Sequence, residues 1–188
     1  IGDTYPFFKR HLVNGVIRYV KKMIPKHQLK NVIHWRKTTQ HQLPFTPVKS
    51  TLNDTAFIQY TGGTTGVSKG AVLSHKNMLS NILQAATWIK PRGFGEADRI
   101  VTALPLYHVF SLTANLLTFF YFGSRNLLIT NPNDLKMFIK AIANYKMTAF
   151  SGVNTLFNVL LHHHDFPKID FNQLKLTLSG GMALQESV

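Results

Sequence analysis

The chain has 188 residues, enough to bury one substantial core or two small ones. Hydrophobic residues make up 45% and charged residues 15%, a balance that excludes a disordered chain. With no cysteine, disulfide frameworks and thiolate metal centres are excluded, and a reducing, cytoplasmic setting fits. The net charge of +13 is concentrated at one end: ten Lys or Arg and no acid lie between Thr4 and Asn53, whereas eleven basic residues face seven acidic ones from Asp54 onward.

The first element in chain order is a basic amphipathic helix within residues 1–26. Leu12, Val13, Val16, Ile17, Val20, Met23 and Ile24 recur at helical spacing, flanked by Lys9, Arg10, Arg18, Lys21 and Lys22, with Pro25 marking the end. Such a helix either lies on an anionic membrane, here at the inner face, or packs on a larger protein with its lysines solvated. Residues 27–53, with Pro44 and Pro47, read as a connector to an α/β region over 54–188.

In that region strands are predicted near 55–60, 70–73, 99–103, 126–130, 147–151 and 174–179. Helices are predicted over 75–89, 108–121, 134–145 and 153–163, with another start near 183. The alternation implies a mainly parallel sheet flanked by helices. The most apolar stretch, Val109–Phe122, is interrupted by Ser111, Thr113, Asn115 and Thr118. It is shorter than the roughly 20 residues of a spanning helix and reads as buried. No signal-peptide pattern is visible.

Ligands of parallel sheets sit beyond the carboxyl ends of the strands. The segments leaving those ends are TGGTTGVSK (61–69), LPLYH (104–108), TNPND (130–134), SGVNT (151–155) and SGGMA (179–183), where glycines and hydroxyls gather. The first is the most informative. Glycines free backbone N–H groups to curl around an anion, threonine hydroxyls add donors, and Lys69 supplies a mobile cation, so the natural guest is a polyphosphate. It is not the usual G-x-x-x-x-G-K-[ST] loop: Ser68 stands where that motif has Gly, and Gly70 where it has Ser or Thr. His162, His163 and His164 invite a metal reading, but adjacent residues on the predicted helix point in different directions, so no metal site is expected.

YTGGTTGVSKG (60–70) resembles the phosphate-loop signature of the adenylate-forming enzymes, Y-T-S-G-T-T-G-x-P-K-G, departing from it at Gly62 and Ser68. ALPLYHVF (103–110), NLLITNP (126–132), GVNTLFNVLL (152–161) and LSGGMALQ (178–185) follow in the order and spacing of the bacterial long-chain fatty-acyl-CoA synthetase branch. The resemblance extends over essentially the whole chain, and implies an internal piece of the large N-terminal domain of such an enzyme.

By that resemblance, Thr61, Gly62, Gly63, Thr64, Thr65, Gly66 and Lys69 would hold the β- and γ-phosphates of ATP, with Mg²⁺ accompanying the nucleotide. His108 would position the acyl carboxylate as the catalytic histidine. Gly180, Gly181 and Met182 would lie against adenine, and Gly152, Val153, Asn154, Thr155 and Phe157 would line the acyl tunnel. The implied reaction joins a fatty acid to ATP as an acyl-adenylate, releasing pyrophosphate, and passes the acyl group to coenzyme A. Family elements beyond Val188, including a magnesium-holding acidic motif and a mobile lysine, imply that residues 1–188 alone are inactive as a ligase. An aryl-CoA ligase or amino-acid adenylation domain would share the loop but fits the later segments less well. From a different class, a basic membrane- or nucleic-acid-binding module matches the charge, but no nucleic-acid-binding motif accompanies it and no nucleic-acid partner is expected.

Overall fold

The computed structural model describes residues 5–25, 28–33, 37–38, 46–61, 66–186 and 188. The chain divides into two units, Ile1–Lys49 and Ser50–Val188. In the first, helix α1 (Phe7–Gly15) runs on into a π-helical turn, Val16–Val20, with no buried residue in either. The helical run stops about four residues short of the Ile24 end predicted from its apolar stripe. Lys22 adopts a left-handed φ of 48°, which ends the helical path before Pro25 is reached.

The second unit opens with an antiparallel hairpin of β1 (Thr55–Thr61) and β2 (Lys69–Ser74), which forms its own two-stranded sheet. β2 passes directly into α2 (His75–Ile89). Ser74 makes that abrupt change possible. Its hydroxyl accepts from the Asn77 N–H at 3.2 Å while the Asn77 amide oxygen accepts from the Ser74 N–H at 3.0 Å, satisfying two donors at the helix start. Met78, Ile82, Ala86 and Ile89 make one buried stripe along α2.

The remaining strands are β3 (Arg99–Thr102), β4 (Arg125–Leu128), β5 (Ala149–Gly152) and β6 (Leu176–Ser179). They form a parallel sheet in the order β4-β3-β5-β6. Between β3 and β4 lies a π-helical segment, Ser111–Leu117, that continues into the short helix α3 (Thr118–Tyr121). α4 (Leu135–Ala143), capped by the Asp134 carboxylate on the Met137 N–H at 3.2 Å, links β4 to β5. α5 (Asn154–Leu161) links β5 to β6.

Strand alternation divides the core between the two faces of the sheet. Val101 and Phe150 pack with Phe138, Ile142, Phe157 and Leu160 from α4 and α5. Ile100, Ala149 and Leu176 pack on the opposite face with Ile89, Phe94 and Phe119. The architecture is therefore α/β, with a parallel sheet flanked by helices as expected. No helix forms near 183 among the described residues, where the chain is irregular through 185. No helix of the described residues is long and apolar enough to cross a membrane.

Candidate functional site

Register sets the site. Thr102 lies opposite Leu128 on one side and Ser151 on the other, and Gly152 lies opposite Ser179. The carboxyl ends of the four parallel strands therefore finish along one edge, and the loops that follow open from it together. The loop after β3 is held at two points. The fully buried Ser111 donates its hydroxyl to the Leu104 carbonyl at 2.9 Å, and the His108 N–H reaches the Pro105 carbonyl at 3.1 Å.

Beside this loop is a cavity of about 410 Å³ lined by Tyr60 and Thr61 from the hairpin, Leu104 to His108 and Phe110 from the β3 loop, Val153 from the β5 loop and Gly181 from the β6 loop, Leu106 and Tyr107 excepted. Four residues singled out from sequence thus meet there: Thr61, His108, Val153 and Gly181. No Asp or Glu lines it among the described residues. The His108 ring is exposed and stacks obliquely on Tyr107 at 4.7 Å. Tyr107 itself is 73% exposed.

The hairpin brings Lys69 opposite Thr61, and the Thr61 hydroxyl donates to the Lys69 carbonyl at 3.3 Å. That rung closes the base of the glycine-rich loop. Gly62, Gly63, Thr64 and Thr65 lie outside the described residues; Gly66 is the first residue described after them.

On the β6 side, Gly181 has a φ of +81°, a conformation that a side chain would strain. Gly180 allows a close approach: a Cβ there would lie 2.5 Å from the ring of Phe110. In this structure the wall at Gly180 is thus covered by an aromatic ring of the β3 loop. Met182 follows, half exposed.

The five residues of the GVNTLF segment separate. Val153 and Thr155 face a second cavity of about 340 Å³, which shares Leu104, Pro105 and Val153 with the first. Asn154 is buried and accepts from the Gln185 N–H at 2.9 Å. Phe157 is buried edge-on against Phe150 at 5.3 Å, and the site of a Gly152 Cβ lies 3.1 Å from the Phe157 ring. Phe157 also borders an apolar cavity of about 420 Å³ with Phe150, Leu161 and Phe166.

Sequence reasoning did not single out Phe110, nor the buried pair that joins the π-helical segment to β5. Ser151 donates to the Asn115 amide oxygen at 2.6 Å, and the Asn115 side-chain nitrogen has no partner among the described residues. The available signal was the polar residues recurring through the apolar stretch Val109–Phe122. A buried polar group needs a partner, and strand β5 provides one.

The model of the family described as AMP-binding enzyme matches residues 10–188. The chain belongs to that family. Among AMP-binding relatives, a long-chain-fatty-acid–CoA ligase of Yersinia pestis is 47% identical over the whole chain, and one of Haemophilus influenzae is 46% identical. The chain spans 34% of the length of each, about a third of these relatives. Of solved AMP-binding structures, ATP-bound MatB from Rhodopseudomonas palustris is 31% identical with a TM-score of 0.59, covering 73% of this chain and 26% of that one. The anthranilate–CoA ligase AuaEII in complex with anthranoyl-AMP is similar in fold, with a TM-score of 0.70 at 22% identity, covering 90% of this chain and 35% of that one.

Proposed function

We propose that this chain is the phosphate-loop portion of an AMP-forming long-chain fatty-acid–CoA ligase, which converts a fatty acid and ATP to an acyl-adenylate and then to acyl-CoA. The observation that carries the reading is the cavity where Thr61, His108, Val153 and Gly181 converge from four separate segments. Identity of 45–47% to ligases of that name supports the long-chain substrate.

The chemistry follows from the groups present. Attack of a carboxylate oxygen on the α-phosphorus breaks the bond to pyrophosphate, whose charge grows as it leaves. In this proposal Lys69 and the hydroxyls of the segment between β1 and β2 supply donors to that growing charge, which is where donors lower a barrier. His108, which lines the same cavity as Thr61, offers an imidazole N–H to the acyl carboxylate and holds it for attack in this proposal. The apolar walls at Leu104, Pro105 and Val153 suit the acyl chain. Gly62, Gly63, Thr64, Thr65 and Gly66 complete the phosphate cradle in this proposal; Gly180, Gly181 and Met182 form the adenine wall. Mg²⁺ would be carried on the phosphates, because the described lining residues offer it no carboxylate. Coenzyme A is the final acyl acceptor.

The basic α1 region is proposed to rest on the anionic inner face of the membrane. Phe7, Phe8, Leu12, Tyr19 and Val20 are all exposed alongside Lys9 and Arg18, the combination an interfacial helix uses. The test of the enzymatic reading is ATP–pyrophosphate exchange with oleate in the whole enzyme. Lys69→Ala should cost about 1.5–3 kcal/mol of transition-state binding, roughly tenfold to a hundredfold in kcat/KM for ATP. Unchanged exchange would remove Lys69 from the site.

A further inference from the structure

We propose that the turn after α5 is a surface binding site for a transition-metal dication of the Zn²⁺ or Ni²⁺ type, held by His163, His164 and Asp165. Three consecutive residues on a helix could not converge. Here the helix stops at Leu161, one residue before the histidine run, and His162 closes it. The chain then turns until the short 3₁₀ segment Phe166–Lys168 begins. In that turn one ligand atom from each of the three side chains lies within 4.8 Å of the others.

The details of the turn favour a cation. His164 Nε2 stands 3.0 Å from Asp165 Oδ2. Two donors each about 2.1 Å from one zinc ion lie roughly 3.4 Å apart at the tetrahedral angle, so that pair is already close enough to share it. The His163 and His164 rings stack at 4.8 Å with only 20° between their planes, and His163 Nδ1 accepts from the Asp165 N–H at 3.2 Å. Bringing His163 in takes rotation of a partly exposed side chain out of that stack, at the loss of its hydrogen bond from the Asp165 N–H. His162 is held apart, its Nδ1 bonded to the Asn158 carbonyl at 2.7 Å. The carbonyl end of α5 adds negative potential.

Two imidazoles and one carboxylate make a borderline donor set, suited to Zn²⁺, Ni²⁺ or Cu²⁺ and poorly suited to Mg²⁺ or Ca²⁺. Remaining positions are open to water. One competitor is built in: the Lys168 ammonium sits 2.7 Å from Asp165 Oδ1 and repels a dication there.

The experiment is calorimetric titration of the tag-free protein with Zn²⁺, in parallel with H163A, H164A, H162A and K168Q, each checked for unchanged circular dichroism. The expected result is one equivalent of Zn²⁺ that 1 mM Mg²⁺ does not displace. H163A and H164A should each weaken it about tenfold or more, since even outer partners of a metal ligand are worth that much. H162A should leave it unchanged, and K168Q should tighten it several-fold. Zinc affinity unaltered in both H163A and H164A would overturn the proposal. So would a loss in H162A equal to theirs, which would place the ion elsewhere, or a weakening in K168Q.

Discussion

Gly180→Ala and Gly152→Ala add the same methyl group at adjacent strand ends and should have opposite profiles. At Gly180 the new Cβ would sit 2.5 Å from two carbons of the Phe110 ring and 3.0 Å from a third. Ordinary carbon contacts begin near 3.5 Å, so the ring must retreat by about 1 Å. It can do so, because Phe110 is only partly buried and lines the 410 Å³ cavity. The expected folding cost is therefore small, about 1 kcal/mol, at the low end of overpacking. The displaced ring intrudes on the space assigned to nucleotide, so KM for ATP should rise by roughly tenfold, about 1.4 kcal/mol of binding. At Gly152 the Cβ would lie 3.1 Å from the Phe157 ring and 3.3 Å from Leu156. Phe157 is 9% exposed and packed edge-on against Phe150 while bordering an apolar cavity of about 420 Å³, so its ring gives by a few tenths of an ångström and about 1–2 kcal/mol of stability should be lost, with KM for ATP unchanged. Urea denaturation measures the first quantity and ATP–pyrophosphate exchange the second. Adding Phe110→Leu to Gly180→Ala should restore KM. A larger stability loss at Gly180 than at Gly152, or no rescue by Phe110→Leu, would refute the reasoning.

Lys69→Ala should raise the ATP requirement of adenylation as described above, with folding unchanged because the side chain is exposed. His108→Ala should impair acyl-adenylate formation more than ATP binding; equal losses in single-turnover and equilibrium nucleotide-binding measurements would take His108 away from the carboxylate. Charge reversal at Lys21 and Lys22 should weaken partitioning onto anionic but not neutral vesicles, read by sedimentation, if α1 is a membrane contact. Asp98→Asn should cost about 2–3 kcal/mol, because Asp98 is buried and accepts from Lys175 Nζ at 2.8 Å and from the Gly95 N–H at 2.7 Å. Burial alone would raise the pKa of Asp98, but the Lys175 ammonium, the Thr148 hydroxyl and the Gly95 N–H together outweigh it and hold the carboxyl below its usual value. Its contribution is thus present above the unfolded pKa, about 3.9, and lost as pH falls through the lower folded value. Denaturation of wild type should show that acid loss, and Asp98→Asn should flatten it.

The sequence by itself determined the elements and the family. Strand and helix periodicity is local, so β1, β2 and α2 fall within a residue of their predicted limits, and the glycine-rich loop marks its chemistry without any long-range contact. Ser74 and Asn77 lie three residues apart, so the start of α2 was equally legible. The tertiary structure alone decided which residues share a space. The sheet order β4-β3-β5-β6 is set by pairing between residues 26 or more positions apart, and no local pattern encodes it. Val153 and Phe157 read alike as apolar wall residues, yet strand β5 and the start of α5 turn them to different cavities, Val153 beside His108 and Phe157 beside Phe150 and Phe166. Phe110 reaches Gly180 across 70 residues of chain, and Ser151 reaches Asn115 across 36, because parallel strands bring remote segments to one edge. The end of α5 at Leu161 shows the same limit on a smaller scale. One residue's difference in where a helix stops decides whether three neighbouring side chains diverge or meet.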